Sequence, residues 1–193
     1  MLYQTRIVIA DSDTRSLKRV KGLLQNLGYT VLGEAKDGLS ALTMVRRVSP
    51  DLVILDAKLP VMDAWEVAQI IESNRLAPVL LIVQYGQGLE RFRESPLITP
   101  LVKPINEANL HIQMELALSR FEQVTELEKE IRDLKESLEV RKIVDKAKGI
   151  LMQQRGMTED AAFRYIQQLS MNKRISKKAV AEAILLMSEG DKV

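Results

Sequence analysis

The sequence predicts an α/β fold, a five-stranded doubly wound parallel sheet, followed by a coil-forming helix and a small all-α unit of three helices. Three observations predict it. Short aliphatic runs alternate with helix-length amphipathic segments up to about residue 105, the strands then stop, and neither Gly nor Pro interrupts the chain between Pro104 and Gly149. Apolar runs without polar alternation are what a sheet covered on both faces requires.

The five runs are Arg6 to Ala10, Thr30 to Glu34, Asp51 to Leu55, Pro78 to Val83 and Ile98 to Val102. Five βα units within about 115 residues make one small doubly wound domain. After Pro104, Asn106 is placed to cap a helix that can run to about Arg155, roughly 73 Å at the helical rise per residue. Within it, Val124, Leu127, Ile131, Leu134 and Leu138 are spaced 3, 4, 3, 4 and share one seam. Val and Ile at a with Leu at d favours a parallel two-stranded coil, and Glu130 at g can pair across it with Lys135 at e. The pattern fails at Arg141 and Asp145, so the seam is packed either by a helix of the same chain or by a second chain. A homodimer is the favoured expectation.

Gly156 then suits the C′ position of the long helix, and Thr158, followed by Glu159 and Asp160, suits the start of the next. That helix, to about Met171, carries Ala162, Tyr165, Ile166 and Leu169 at core spacing. Ser176 caps a last helix that runs to about Ser188 and stops at Gly190. The expected divisions are 1–120, a linker helix 121–140, and 141–190.

Composition bounds the function. The 193 residues are 46% hydrophobic and 28% charged, with 28 Lys and Arg against 26 Asp and Glu, so no global field dictates a polyanionic partner. There are no cysteines, which removes disulfides and thiolate metal sites. The longest apolar stretches, such as Val79 to Val83, are far too short to span a bilayer, and the N-terminus lacks a signal-peptide pattern. The expectation is a cytoplasmic protein with no membrane partner.

Charged residues fall at the strand ends. Asp11 and Asp13 follow the first strand, Asp56 ends the third and Lys103 ends the fifth. Ligands of open α/β sheets bind at the carboxyl ends of strands where strand order reverses, so these four groups should converge. Three such carboxylates, Asp11, Asp13 and Asp56, resist joint ionisation unless a hard cation such as Mg²⁺ or an ammonium group lies among them. A carboxylate beside Mg²⁺ can attack a phosphoryl donor, and Lys103 can then hold a phosphoryl oxygen.

With Asp11, the run Val53-Ile54-Leu55-Asp56, then Leu59-Pro60, Met62-Asp63 and Lys103-Pro104, residues 1 to about 120 resemble a two-component response regulator receiver. The resemblance implies a flavodoxin-like fold, Asp56 as phospho-acceptor, Lys103 as phosphoryl contact, and a sensor histidine kinase or another regulatory protein as partner. Three departures stand out. Receivers usually carry two adjacent acids after strand one, and here the pair is Asp11-Ser12. A Thr or Ser usually ends strand four, and here it is Val83. The Gly usual after Met62-Asp63 is Ala64. Loss of the second acid weakens a Mg²⁺ site. Loss of the hydroxyl removes a bond of about 1–3 kcal/mol to a charged group, comparable with a typical allosteric coupling. The pocket is expected to be degenerate, with Asp56 phosphorylated inefficiently or its signal poorly transmitted. A rival enzymatic reading, in which Asp11-Ser12-Asp13-Thr14 is similar to a haloacid dehalogenase nucleophile motif, lacks the later acidic pair, so no enzymatic activity is expected.

Charge separates in the second half. Residues 122–139 hold seven acids and three bases, a net of −4, whereas 141–178 hold ten bases and three acids, a net of +7. The latter is an electrostatic footprint for a polyanion. The order Ala147-Lys148-Gly149-Ile150-Leu151-Met152, Gly156-Met157-Thr158-Glu159-Asp160-Ala161-Ala162-Phe163, Ser170-Met171 and Val180-Ala181-Glu182-Ala183-Ile184-Leu185 resembles an ANTAR domain over about 135–188. That resemblance implies a dimeric RNA-binding antiterminator that grips paired hairpins in leader transcripts. Lys148 matches the family's lysine; Arg164, Lys173 and Arg174 join it on charge. Gly149 suits close approach of a second helix or of RNA backbone. Tyr165 is read as core before base platform, Met152, Met157 and Met171 as packing, and His111 as surface. No helix-turn-helix spacing is evident, so DNA is not expected. The alternative is a receiver-type interaction protein that has lost RNA binding and is controlled by a protein partner.

Overall fold

The computed structural model describes residues 5–86 and 89–190, and the chain forms two compact units, Met1–Glu126 and Leu127–Val193. In the first, strands β1 (Arg6–Ala10), β2 (Thr30–Ala35), β3 (Leu52–Asp56), β4 (Val79–Val83) and β5 (Ile98–Val102) form one parallel sheet in the order β2-β1-β3-β4-β5. Alternate strand residues face opposite layers. Val8, Val53, Leu55, Val79 and Leu81 pack beneath α2 (Gly38–Val48) and α3 (Ala64–Ser73). Ile7, Ile9, Leu52, Ile54, Leu80 and Ile82 pack beneath α1 (Thr14–Asn26) and the first turns of α4 (Glu107–Arg155), through Leu110, Met114 and Ala117. This two-sided burial explains why the strands read as apolar throughout.

Each of α1, α2 and α3 begins at an aspartate, Asp13, Asp37 and Asp63, whose carboxylate accepts from a backbone N–H of the first turn. The expectation of five complete βα units needs one correction. Among its described residues the β4 to β5 connection carries no α-helix, only a 3₁₀ turn at Leu89–Arg93. Gly86 and Gly88 on one side and Pro96 on the other leave too few uninterrupted residues for a stable helix.

The helix α4 extends unbroken over the predicted span, from the first unit into the second. The second unit adds α5 (Glu159–Lys173) and α6 (Lys177–Gly190), packed through Val144, Ala147, Leu151, Ala162, Ile166, Val180 and Ala181. Gly156 ends α4 at φ 63°, the left-handed conformation that terminates helices. Thr158 Oγ1 accepts from Ala161 N, and Ser176 Oγ accepts from Ala179 N, so both predicted caps form. The predicted packing reason for Gly149 finds no support among the described residues: a Cβ built there meets none of them within 4 Å.

Candidate functional site

The sheet register places the first site. Ala10 pairs with Leu55 across β1 and β3, so Asp11 and Asp56 follow adjacent positions where the strand order reverses. Asp56 is 4% exposed; its Oδ2 accepts from Lys103 Nζ at 2.6 Å and its Oδ1 from Lys58 N at 2.9 Å. Asp11 is equally buried, and its Oδ1 accepts from Asp13 N at 2.8 Å. Its Oδ2 is buried without a hydrogen-bond partner among the described residues. An orphaned carboxylate oxygen beside a second buried acid is costly unless a cation meets it, so Asp11 and Asp56 fit a hard divalent ion.

The third expected carboxylate does not join them. Asp13 caps α1, accepting from Arg15 N at 2.8 Å, and among the described residues no three acidic or histidine side chains gather closely enough to hold a metal. Ser12, where receivers usually carry an acid, instead donates through Oγ to Lys58 O. Val83, one residue beyond the Ile82 that pairs with Asp56, is buried and offers no side-chain donor. It lines a cavity of about 170 Å³ with Ala57, Asp63, Arg91 and the edge-to-face pair Trp65 and Phe92.

The loop after Asp56 is tightly held. Gly38 N donates to Pro60 O, and a Cβ on Gly38 would come within 2.3 Å of Met62 O. Val61, 81% exposed, sits at φ 71°, a left-handed conformation unfavourable for a β-branched side chain. Sequence reasoning missed the Lys58 amide and this strained residue, because a backbone donor and a φ angle leave no signature in residue type.

In the second unit the four expected RNA-contacting cations do not form one patch. Lys148 donates to Asp145 at 2.7 Å and Glu159 at 2.8 Å, and its side chain is largely covered. These two carboxylates raise its pKa, and Lys148 in turn lowers that of Asp145. Lys148 therefore ties α4 to the first turn of α5 and is not a free phosphate contact. Arg164 and Lys173, nine residues apart on α5, leave the helix on opposite sides at about 100° per residue. Lys173 and Arg174 are exposed and consecutive, and Arg174 ends α5 at φ 54°. None of Arg164, Lys173 and Arg174 pairs with an acidic side chain among the described residues.

Two unpredicted cation–aromatic contacts accompany them. The Arg155 guanidinium lies 5.3 Å from the centre of the Tyr165 ring, and one of its N–H groups donates to the Tyr165 hydroxyl at 3.1 Å. Lys177 Nζ stands 5.0 Å from the Phe163 ring. On α4, Leu127, Ile131, Leu134 and Leu138 are half or more exposed, whereas Val124 is partly covered, so among the described residues no helix packs over the seam.

A buried aspartate facing a lysine at the switch point of a sheet ordered 2-1-3-4-5 defines the receiver class of signalling domain. The model of the response regulator receiver domain matches residues 7–115, and that of the ANTAR domain matches residues 132–185. The transcriptional regulatory protein PdtaR of Mycobacterium tuberculosis is 40% identical over 182 residues, covering 93% of this chain and 89% of that protein. Among solved structures, a response regulator receiver domain from Clostridium thermocellum aligns with TM-score 0.55 at 23% identity, covering 62% of this chain and 98% of that one. The receiver domain of the sensor histidine kinase PA1611 from Pseudomonas aeruginosa, solved with magnesium in its active site cleft, aligns with TM-score 0.53 at 20% identity, covering 60% and 98%. The chain belongs to the response regulators that join a receiver domain to an ANTAR domain.

Proposed function

We propose that this chain is an intracellular transcription antiterminator whose receiver carries a weak phosphoryl switch and whose helical unit, as a homodimer, binds hairpins in leader RNA. The proposal rests chiefly on one observation: Lys173 and Arg174 stand exposed, with no acidic partner among the described residues, on a helical unit whose residues 141–178 carry ten bases against three acids. Such a surface is suited to phosphate, and hairpins presenting unpaired bases add the edges that give sequence preference. Held hairpins of this kind would keep a terminator from forming. No enzymatic role is assigned.

In the receiver, Asp56 is the group positioned to attack a phosphoryl donor. Its Oδ2 already meets Lys103 Nζ, which can follow a transferred phosphoryl oxygen, and the Lys58 amide holds Oδ1 in place. Asp11 and Asp56 would hold Mg²⁺, which when bound supplies positive charge between the two carboxylates and the incoming phosphoryl group. A sensor histidine kinase or another regulatory protein is the expected donor or controller. Because Val83 offers no hydroxyl and Ser12 replaces an acid, both Mg²⁺ affinity and transmission along β4 are reduced.

The test pairs two measurements. Incubation with acetyl phosphate and Mg²⁺, read by intact mass, should give a substoichiometric adduct that disappears in Asp56→Asn. Hairpin RNA affinity should change by less than about tenfold, the range of a typical allosteric coupling, on adding the donor. A stoichiometric adduct with a larger change would overturn the weak-switch reading.

A further inference from the structure

A groove of about 700 Å³ opens in the helical unit where the end of α4, α5 and α6 meet. Its floor is apolar, formed by Leu151, Leu169, Val180 and Ile184, and its rim carries Arg155 and Lys173. Its size lies within the range of small-ligand sites, about 300–1,000 Å³. Tyr165, half-covered, lines it and is held by the Arg155 guanidinium through both the cation–aromatic contact and the hydrogen bond to its hydroxyl.

We infer that this groove receives one unpaired nucleobase from a hairpin loop, the base lying against the Arg155–Tyr165 pair while Lys173 and Arg174 hold the flanking phosphates. The inference rests on the RNA-binding reading above and deepens it. Four features favour a base over an apolar peptide. A guanidinium already held over an aromatic ring by a cation–aromatic contact and a hydrogen bond is partly ordered before the ligand arrives. A base has apolar faces for the leucine and isoleucine floor and a polar edge for the Gln154 amide at the mouth. Its tether is anionic, and the cations on the rim are free of acidic partners among the described residues. Unpaired RNA bases are characteristically read by stacking on aromatic rings and guanidinium planes. An apolar helix would leave Arg155 and Lys173 desolvated against it without compensation.

The test uses the full chain and a pool of hairpin RNAs that share one stem and carry randomised loops. Recovered binders should converge on at least one loop position. An abasic substitution there should weaken binding by about tenfold or more, the worth of one stacked base. Ala183→Trp, which fills the groove from an exposed position, should bind the intact and abasic hairpins equally, while melting like the wild type. Arg155→Lys keeps the charge and loses the plane, so it should lose the same factor and retain the salt dependence. Three outcomes overturn the inference. If the pool binds but no loop position is enriched or sensitive to base removal, RNA binding stands and the base pocket falls. If Ala183→Trp instead alters the sedimentation mass and leaves RNA affinity intact, the groove is a contact between copies. If no hairpin binds at low salt, the RNA reading itself has failed, and the pocket with it.

Discussion

Lys103 Nζ lies 2.6 Å from Asp56 Oδ2, yet the two side chains differ sharply in exposure, 39% for the lysine and 6% for the aspartate. The charge that would receive a phosphoryl group is fixed in the protein, while the charge that neutralises it can reach solvent. The lysine can therefore shift toward a new oxygen without unfolding its surroundings.

Replacing Lys103 with Met strands the buried carboxylate. Breaking a fully buried pair costs several kcal/mol, and the partial exposure of Lys103 reduces this to about 1 kcal/mol. Asp56→Asn should cost less, because an amide tolerates burial better than an unpaired charge. The double variant should be more stable than Lys103→Met alone. Urea midpoints of the four proteins measure this, and additive losses would mean the pair is not coupled.

Lys148 makes the helical unit pH-dependent at both ends. Asp145 has a lowered folded pKa, so its contribution is complete above the ordinary carboxylate range and is lost as pH falls through the depressed value. Lys148 has a raised folded pKa, so its contribution is complete below the ordinary lysine range and is lost as pH rises through the elevated value. Thermal melts followed by circular dichroism should show Lys148→Met less stable than the wild type at neutral pH, with the difference shrinking toward both extremes. A constant difference at every pH would argue that the lysine acts by packing alone.

Gly149 occupies the interior of α4 with open space where its side chain would be. Gly149→Ala should stabilise the unit by about 1 kcal/mol, the helix-propensity difference between the two residues. If RNA backbone or a partner helix approaches closely there, the same variant binds hairpin RNA more weakly. A more stable protein with unchanged affinity would show that the glycine answers no functional demand.

The exposed seam predicts self-association. Ile131→Asp places a charge in the middle of the row formed by Leu127, Leu134 and Leu138, and should convert a concentration-dependent dimer to a monomer in sedimentation equilibrium. A wild-type chain that is already monomeric at high concentration would remove the coil from the account.

Most of the fold was legible in residue order, for reasons that can be named. Five unbroken aliphatic runs required a sheet covered twice, and the absence of Gly and Pro from 105 to 148 left α4 no place to stop. The fourth crossover was misread as a full βα unit, although Gly86, Gly88 and Pro96 were visible punctuation. At the site, Asp11, Asp56 and Lys103 were readable because strand ends converge by topology. Asp13 was not, since an acid one residue from a helix start serves equally as cap or ligand, and only the backbone decides. Of the four expected cations of the helical unit, Lys148 is the one engaged by the chain's own acids. Lys148 has acids within reach one turn before it and across the turn to α5, and linear charge counting cannot see that they meet.

The central claim is that the cationic helical unit recognises folded RNA. Titrating the full chain with a two-hairpin RNA, and with a DNA duplex of matching stem sequence, across a series of salt concentrations tests it most directly. Saturable binding to the RNA is expected, with log affinity falling linearly with log salt, and markedly weaker binding to the duplex. Equal affinity for both nucleic acids, or no saturable RNA binding at the lowest salt, would contradict it.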